Sequence, residues 1–251
     1  MTGIVITARL GSKRLPNKHL LKVGEINLIQ WLVQRICFEF NQEIKENRVK
    51  IILATTRNEI DRKFQDYLSD YNCEVFYGDS KNIPKRHIEC AKSYGLNSII
   101  NIDGDDFLIS MKATRLVYNE LKLGKEKIST HGLPIGMNVM GYSTNALKVA
   151  HSSRSLTNYE TGWGSIFDNL EILYYPLELE LEELSKIRLT CDYQEDYLLF
   201  KTLYQKLYKV KKDVSDIELI SFIIENKLYE INNQLTEKYW ENFNSEKNEQ
   251  L

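Results

Sequence analysis

Over its first hundred positions the chain alternates two kinds of apolar pattern. Gly3 to Ala8 is a short continuous apolar run, as expected of a strand buried on both faces. Leu28 to Phe40 carries apolar residues at helical spacing. The pair then recurs, with a buried-strand run at Val49 to Thr55 (VKIILAT), a polar helix over Glu59 to Leu68 and a third strand at Cys73 to Tyr77. Pro84 stands near the next helix start and Gly95 just past its end, where the fixed φ of proline and the permissive φ of glycine are each useful. Ser98 to Ile102 is a fourth apolar run, and it stops at Asp103-Gly104-Asp105-Asp106. Strands spaced by helices predict βαβ crossovers and an α/β fold with a mostly parallel, Rossmann-like twisted sheet flanked by helices.

The second half is less regular. Met111 to Leu123 predicts a helix closed by Gly124, Leu133 to Met140 (LPIGMNVM) a strand, and Thr144 to His151 a helix. Leu170 to Tyr175 and Arg188 to Cys191 are expected strands, followed by helices over Glu195 to Tyr208 and Asp216 to Tyr229. The polar tail, Asn244 to Leu251, is expected to fray. No repeat or linker-like stretch divides the chain, so residues 1–251 are expected to form one domain with an elaborated second half.

Composition narrows the function classes. With 251 residues, 43% of them apolar and 27% charged, the chain can bury a sizeable core and does not resemble a disordered or fibrous sequence. No stretch approaches the ~20 apolar residues needed to span a bilayer, and Met1 to Ile6 lacks a charged leader. A soluble, cytoplasmic protein without a membrane partner is expected. A formal net charge of −2 removes the bulk electrostatic reason to expect nucleic acid. Cys37, Cys73, Cys90 and Cys191 form no C-x-x-C pair and sit in apolar or periodic segments, so reduced, buried thiols are expected. The four histidines have no ligand-like spacing, which leaves no zinc motif.

Ligands of open parallel sheets bind beyond the carboxyl ends of the strands, and three polar clusters fall there. After the first strand, Ala8 to Lys18 (ARLGSKRLPNK) places four cations on a turn with a Gly and a Ser. Freed backbone N–H groups and basic side chains on such a turn suit phosphate oxygens. A solvated basic loop accounts for the charge alone; the position after a strand, the Gly-Ser pair and Pro16 favour the phosphate reading. No Walker A pattern is present. After the fourth strand, carboxylates two apart on a Gly turn, as in Asp103 to Asp106, can share a Mg²⁺ ion, although D-G-D is also a good turn in its own right. The third cluster is Arg188 to Asp192, with Glu195 and Asp196 behind it. Asp192 reads as a second metal carboxylate. Asp196 reads as structural, because acids in a first helical turn are favoured by the helix dipole.

These clusters, in this order, resemble the cytidylyltransferases that make CMP-activated sugars, of the spore-coat-polysaccharide and acylneuraminate type, within the nucleotide-diphospho-sugar transferase fold. The opening A-R-L-G-S-K-R-L-P-N-K is similar to the family's A-R-x-G-S-x-R-[LI]-P-x-K. Tyr77-Gly78-Asp79-Ser80 through Gly95 resembles the stretch before the metal strand, and Arg188-Leu189-Thr190-Cys191-Asp192 with Glu195-Asp196 resembles the late R-x-T-x-D…E-D signature. Phe107 stands where the family has a proline, and Thr55-Thr56-Arg57-Asn58 lacks its Ser-Asp pair. The resemblance implies transfer of CMP from CTP to an acidic sugar of the ulosonic or nonulosonic type, with release of pyrophosphate. It gives nucleotide-binding roles to Ala8, Arg9, Gly11, Ser12, Arg14, Lys18, Thr55 and Asp103, with Lys18, Arg9 and Arg14 catalytic. Asp105 and Asp192 would hold Mg²⁺, while Arg188, Tyr159 and Glu160 would meet the acceptor. The segment 130–170 is implied to bind sugar and form a homodimer.

Other cations for an acceptor carboxylate are His131 and Arg154, and Tyr142 and Trp163 are candidate sugar-lining rings; surface charge and core packing explain these four equally well. A glycosyltransferase would share the acidic turn and Mg²⁺ without needing the basic opening loop. A sugar-1-phosphate nucleotidyltransferase and a non-catalytic nucleotide-binding protein also stay open.

Overall fold

A computed structural model describes residues 1–154, 158–167, 169–175 and 181–248. The chain runs β1 (Thr2–Thr7), β2 (Lys22–Val23), β3 (Ile26–Asn27), α1 (Leu28–Glu39), α2 (Asn41–Lys45), β4 (Val49–Thr56), α3 (Lys63–Leu68), β5 (Glu74–Gly78), α4 (Ile83–Tyr94), β6 (Ser98–Asp103) and α5 (Met111–Lys122). There follow β7 (Lys127–His131), β8 (Met140–Ser143), α6 (Thr144–Ser152), β9 (Glu171–Tyr174), α7 (Leu181–Ser185), α8 (Gln194–Leu203), α9 (Asp216–Glu225) and α10 (Leu235–Asn248).

Among the described residues seven strands form one sheet in the order β5-β4-β1-β6-β8-β7-β9. It is mostly parallel, and of these strands β8 runs against both its neighbours. β1, inside the sheet, pairs with β4 on one side and β6 on the other, so that Thr7 stands beside both Ala54 and Asp103. The continuous apolar runs are explained by burial on both faces. Ile4, Ile6, Ile51, Leu53, Ile100 and Ile102 pack in the larger core with α1, α5, α8 and α9. Val5, Ile52, Ala54 and Ile99 pack on the opposite face with residues of α4 and α6.

Local chemistry sets the helix ends. The Asn27 side chain accepts from Gln30 N and the Gln30 side chain from Asn27 N, both at 3.0 Å, a reciprocal cap that starts α1. Asn82 caps α4 at 2.8 Å from Lys85 N, and Gly95 ends it at φ 63°. All four cysteines are free thiols, three buried and Cys37 partly so. Among the described residues no helix is long and apolar enough to cross a membrane.

Several expectations are corrected. Leu133 to Met140 is a loop rather than a strand: Gly136 takes φ +87°, and its Cα packs so tightly that a Cβ would lie 2.3 Å from Leu189 O. Met137 N closes a turn on Pro134 O instead of joining the sheet, and the strand begins only at Met140. Arg188 to Cys191 makes a single bridge, Ile135 to Arg188, and belongs to no strand. β7, β2 and β3 were not expected. The tail stays helical from Leu235 to Asn248, and its last three residues lie outside the described part.

Candidate active site

The loop after β1 is held from beneath. Leu10 N donates to Asp61 Oδ1 at 2.7 Å, and the hydroxyl of Thr56 donates to the other oxygen of the same buried carboxylate. Ala8 N reaches Ala54 O at 3.3 Å. Ser12 Oγ accepts from Leu15 N at 3.3 Å, which folds the turn back on itself. Gly11 faces open space, with no atom within 4 Å of where a Cβ would stand. Asn17, at φ 54°, then turns the chain inward and buries Lys18 to 6% exposure. Arg9 stays half-exposed at the mouth and grips Glu160 with one nitrogen, at 2.6 and 2.8 Å.

Lys18 Nζ donates to Asp105 Oδ2 at 2.8 Å and to Asp192 Oδ1 at 3.0 Å. The two carboxylates assigned to metal therefore converge on one cation. Burial pulls the Lys18 pKa down, but Asp105 and Asp192 outweigh it and hold the ammonium above the ordinary lysine value. Burial conversely pushes Asp192 up, and Lys18 and Arg14 more than reverse it, so that Asp192 stays ionised well below the usual carboxylate range. Arg14 Nη2 shares Asp192 Oδ1 at 3.0 Å, while Arg188 Nη2 takes Oδ2 at 3.1 Å.

The acidic turn is fixed by Thr7. Its carbonyl accepts Gly104 N at 2.8 Å, and its hydroxyl donates to Asn101 Oδ1 at 2.8 Å; Asn101 Nδ2 donates in turn to Asp103 Oδ1 at 3.0 Å. Since the Thr7 proton is spent on Asn101, the His87 Nε2 contact at 2.8 Å requires His87 to donate, which leaves its Nδ1 to accept from Tyr142 OH at 2.6 Å. One chain of hydrogen bonds thus runs from Tyr142 to Asp103. Asp103 opens into the cleft yet is crowded by protein; this crowding, with Asp105 beside it, raises its carboxyl to about 6. Asp106 is pushed up further by burial and by both neighbouring carboxylates. Cys191 N donates to Asp105 O at 3.0 Å and ties the two acidic segments together. Phe107, in place of the proline, is wholly buried and packs edge-on against His19 and Phe200.

Behind Asp192 lies a buried knot. Arg188 has no exposure; its Nε meets Asp196 Oδ1 at 3.1 Å, and the Tyr239 ring covers its guanidinium at 4.3 Å. Asp196 also accepts Asp192 N at 2.8 Å and Tyr193 N at 2.9 Å, so its structural reading agrees with its position. Asn232, absent from the sequence reading, donates to Arg188 O at 3.0 Å and Asp196 Oδ1 at 2.8 Å. Arg188, wholly buried, is joined to the site through Asp192.

On the other side, Tyr159 and Glu160 are laid across the start of α4 by two backbone bonds: Ile83 N to Tyr159 O at 2.9 Å and Tyr159 N to Lys81 O at 2.7 Å. Thr55 lies near the end of β4 and Arg86 in the first turn of α4. Both are buried, and Thr55 Oγ1 and Arg86 Nη2 have no hydrogen-bond partner among the described residues. Arg86 is not apparent from the sequence because one arginine on a helix looks like surface charge; its place four residues after the capping Asn82, in the first turn of α4, is the one signal it carries. Burial and the Arg9 charge pull its pKa down. His131 and Arg154 are exposed, whereas Tyr142 and Trp163 belong to the core with Phe167. Glu246, which α10 brings to Arg14 Nη1 at 2.9 Å, could not be foreseen from a tail expected to fray.

Among the described residues no group of three His, Cys, Asp or Glu side chains is arranged as a self-sufficient metal site. Asp105 and Asp192 nevertheless suit Mg²⁺, which takes one or two carboxylates and completes its shell with water and substrate phosphates.

A family model described as cytidylyltransferase matches residues 3–234. The spore coat polysaccharide biosynthesis protein SpsF of Bacillus subtilis is 28% identical over 230 residues, 88% of this chain and 93% of that protein. The 3-deoxy-manno-octulosonate cytidylyltransferase of Photobacterium profundum is 28% identical over 151 residues, 58% of this chain and 56% of that one. In structure, a cytidylyltransferase from Leptospira borgpetersenii matches with TM-score 0.77 at 26% identity, covering 91% of this chain and 95% of the other.

Proposed function

Because this chain belongs to the cytidylyltransferase family, and is thus a nucleotidyltransferase, we propose that it transfers CMP from CTP to an acidic sugar, for surface-polysaccharide or glycan synthesis. The observation that carries this is Lys18 buried between Asp105 and Asp192, with Arg9 and Arg14 at the mouth. Such a site opposes concentrated cations to a triphosphate and keeps carboxylates for a divalent ion. The curated 3-deoxy-manno-octulosonate relative supports an acidic acceptor.

In this reading the loop from Ala8 to Lys18 takes the triphosphate, with Gly11 letting the backbone approach and Ser12, Arg9, Arg14 and Lys18 meeting its oxygens. Thr55, Arg86 and Asp103 line the nucleoside half. Asp105 and Asp192 would hold Mg²⁺, which when bound would neutralise charge on the phosphates and lower the pKa of the acceptor hydroxyl. The acceptor oxygen forms its bond to the α-phosphorus as the bond to pyrophosphate breaks, and the hydroxyl proton passes to solvent water. In-line displacement of this kind depends on alignment and charge. Tyr159 and Glu160 meet the acceptor, and Arg188 acts on it by holding Asp192. A homodimer through 130–170 would adjoin β9, the last strand of the sheet, where Ile172 and Tyr174 are exposed; a monomer in sedimentation at micromolar concentration would remove that part.

The test is pyrophosphate release with Mg²⁺, pairing CTP, UTP, GTP and ATP with ulosonic acids and sugar 1-phosphates. Release with CTP and an ulosonic acid alone is expected. Release with another nucleotide or a sugar 1-phosphate moves the specificity, and none from folded protein with any pair leaves a non-catalytic binder.

A further inference from the structure

The family match ends at residue 234, and α10 starts at Leu235. This helix nevertheless lies over the site. Its first turns are tied to the buried knot, with the Tyr239 ring on Arg188 at 4.3 Å and Asn242 Nδ2 donating to Tyr193 OH at 2.8 Å. Its last turns cross the mouth. There Glu246 Oε1 accepts from Arg14 Nη1 at 2.9 Å and Oε2 from Thr161 Oγ1 at 3.0 Å. A carboxylate of the chain itself is thus held between the basic loop and the second-half segment, with each oxygen on a different wall. Arg14 is divided in a telling way: Nη2 stays on Asp192 at 3.0 Å, while Nη1 points to Glu246, whose side chain is 48% exposed. One half of the guanidinium is anchored and the other holds an exchangeable partner.

We propose that Glu246 is a built-in stand-in for a substrate phosphate: the triphosphate of the nucleotide replaces it on Arg14 Nη1 and Thr161 Oγ1, and the last turns of α10 lift off the mouth. The inference rests on the nucleotide reading of the first loop. Its physical basis is charge. Asp105, Asp192 and Glu246 already crowd the cations of the mouth, and a polyanion arriving with Glu246 still in place meets a like charge at the group that should bind it. Release of Glu246 removes that repulsion and frees two donors together. The turns near Tyr239 and Asn242 stay anchored, so the opening is confined to the last turns, which lose the contact that holds their helical hydrogen bonds closed.

The test compares the full chain with Glu246→Gln, a substitution at a surface position that leaves the fold intact. Binding of CTP and of inorganic tripolyphosphate is measured by calorimetry, and amide exchange is followed over residues 240–248. Glu246→Gln is expected to tighten both anions by roughly two- to five-fold, the range an exposed ion pair supports. Either anion should speed exchange in the last turns of α10 in the wild type and have less effect in the variant. CTP binding with equal or weaker affinity in the variant, or added protection of α10, overturns the inference and leaves the nucleotide reading standing. Tripolyphosphate releasing α10 while CTP does not bind keeps the stand-in and removes the nucleotide. No binding of either anion to either form overturns both.

Discussion

Lys18 is the residue on which the two acidic segments meet, and its replacement separates chemistry from folding. Lys18→Met leaves Asp105 and Asp192 facing each other without their shared cation, which should cost about 3–5 kcal/mol of stability. Loss of one preorganised cation should also lower turnover by about 10²–10³. Denaturant titration and pyrophosphate release measure the two effects; wild-type turnover in the variant would remove Lys18 from the mechanism. His87 gives a test in pH. Burial, with the Arg86 charge, brings its pKa to about 3, while the unfolded chain titrates near 6.5. Between those values the unfolded state binds a proton that the native state refuses, so this contribution to stability is lost as pH falls, by up to about 1.4 kcal/mol per unit. His19 has the same sign, and the raised Asp103 the opposite one. Both are common to wild type and His87→Gln, so the melting temperature of the variant should fall less steeply from pH 6.5 to 4. Parallel curves would show that His87 is not the group responsible. The convergence of the basic loop with Asp105 and Asp192 was legible because these residues are contiguous or sit beside strand ends. Asn232 and Glu246 were not, since each gets its meaning from a partner far away in sequence, and neither was Arg86, whose burial a lone helical arginine does not reveal.

Secondary structure was legible where a strand is buried on both faces or a helix carries its own cap, as for β1, β4, β6, α1 and α4. β7 was missed because Lys127–His131 buries only Ile128 and Thr130, too little apolar signal to mark a strand. Leu133 to Met140 misled for the opposite reason: its apolar residues serve packing against 188–191, not pairing in a sheet. The tail misled because its order comes from the site it covers. At this scale the glycines of the two site loops are expected to part company. A Cβ at Gly104 would stand 2.6 Å from Ala8 Cβ and 2.8 Å from Thr7 O. Gly104→Ala should therefore cost about 1–3 kcal/mol as the turn is forced off β1. Gly11→Ala should leave the melting temperature unchanged, since nothing is near, and should weaken CTP binding if the loop backbone approaches the phosphates. A stability loss at Gly11 with none at Gly104 would contradict both assignments.

Across the whole molecule, β1 sits inside the sheet, with a strand on either side, and α10 lies on the rim of the site. Native-state hydrogen exchange should reflect that layering. Amides of Ile4 to Ile6, hydrogen-bonded between β4 and β6, should exchange only through global unfolding, and those of α10 through a smaller opening. Equal protection of both would mean that α10 is part of the cooperative core. The same layering has a consequence for synthesis. The central strands are complete once residue 103 has emerged, but Lys18 meets Asp192 across 174 positions, and Arg14 meets Glu246 across 232. Closing such long loops is slow relative to local pairing. A chain still on the ribosome can therefore hold a formed sheet centre with its lysine paired to Asp105 alone. The charge balance that makes the pocket habitable is delivered by the last quarter of the polypeptide, so translation itself decides when the enzyme begins to exist.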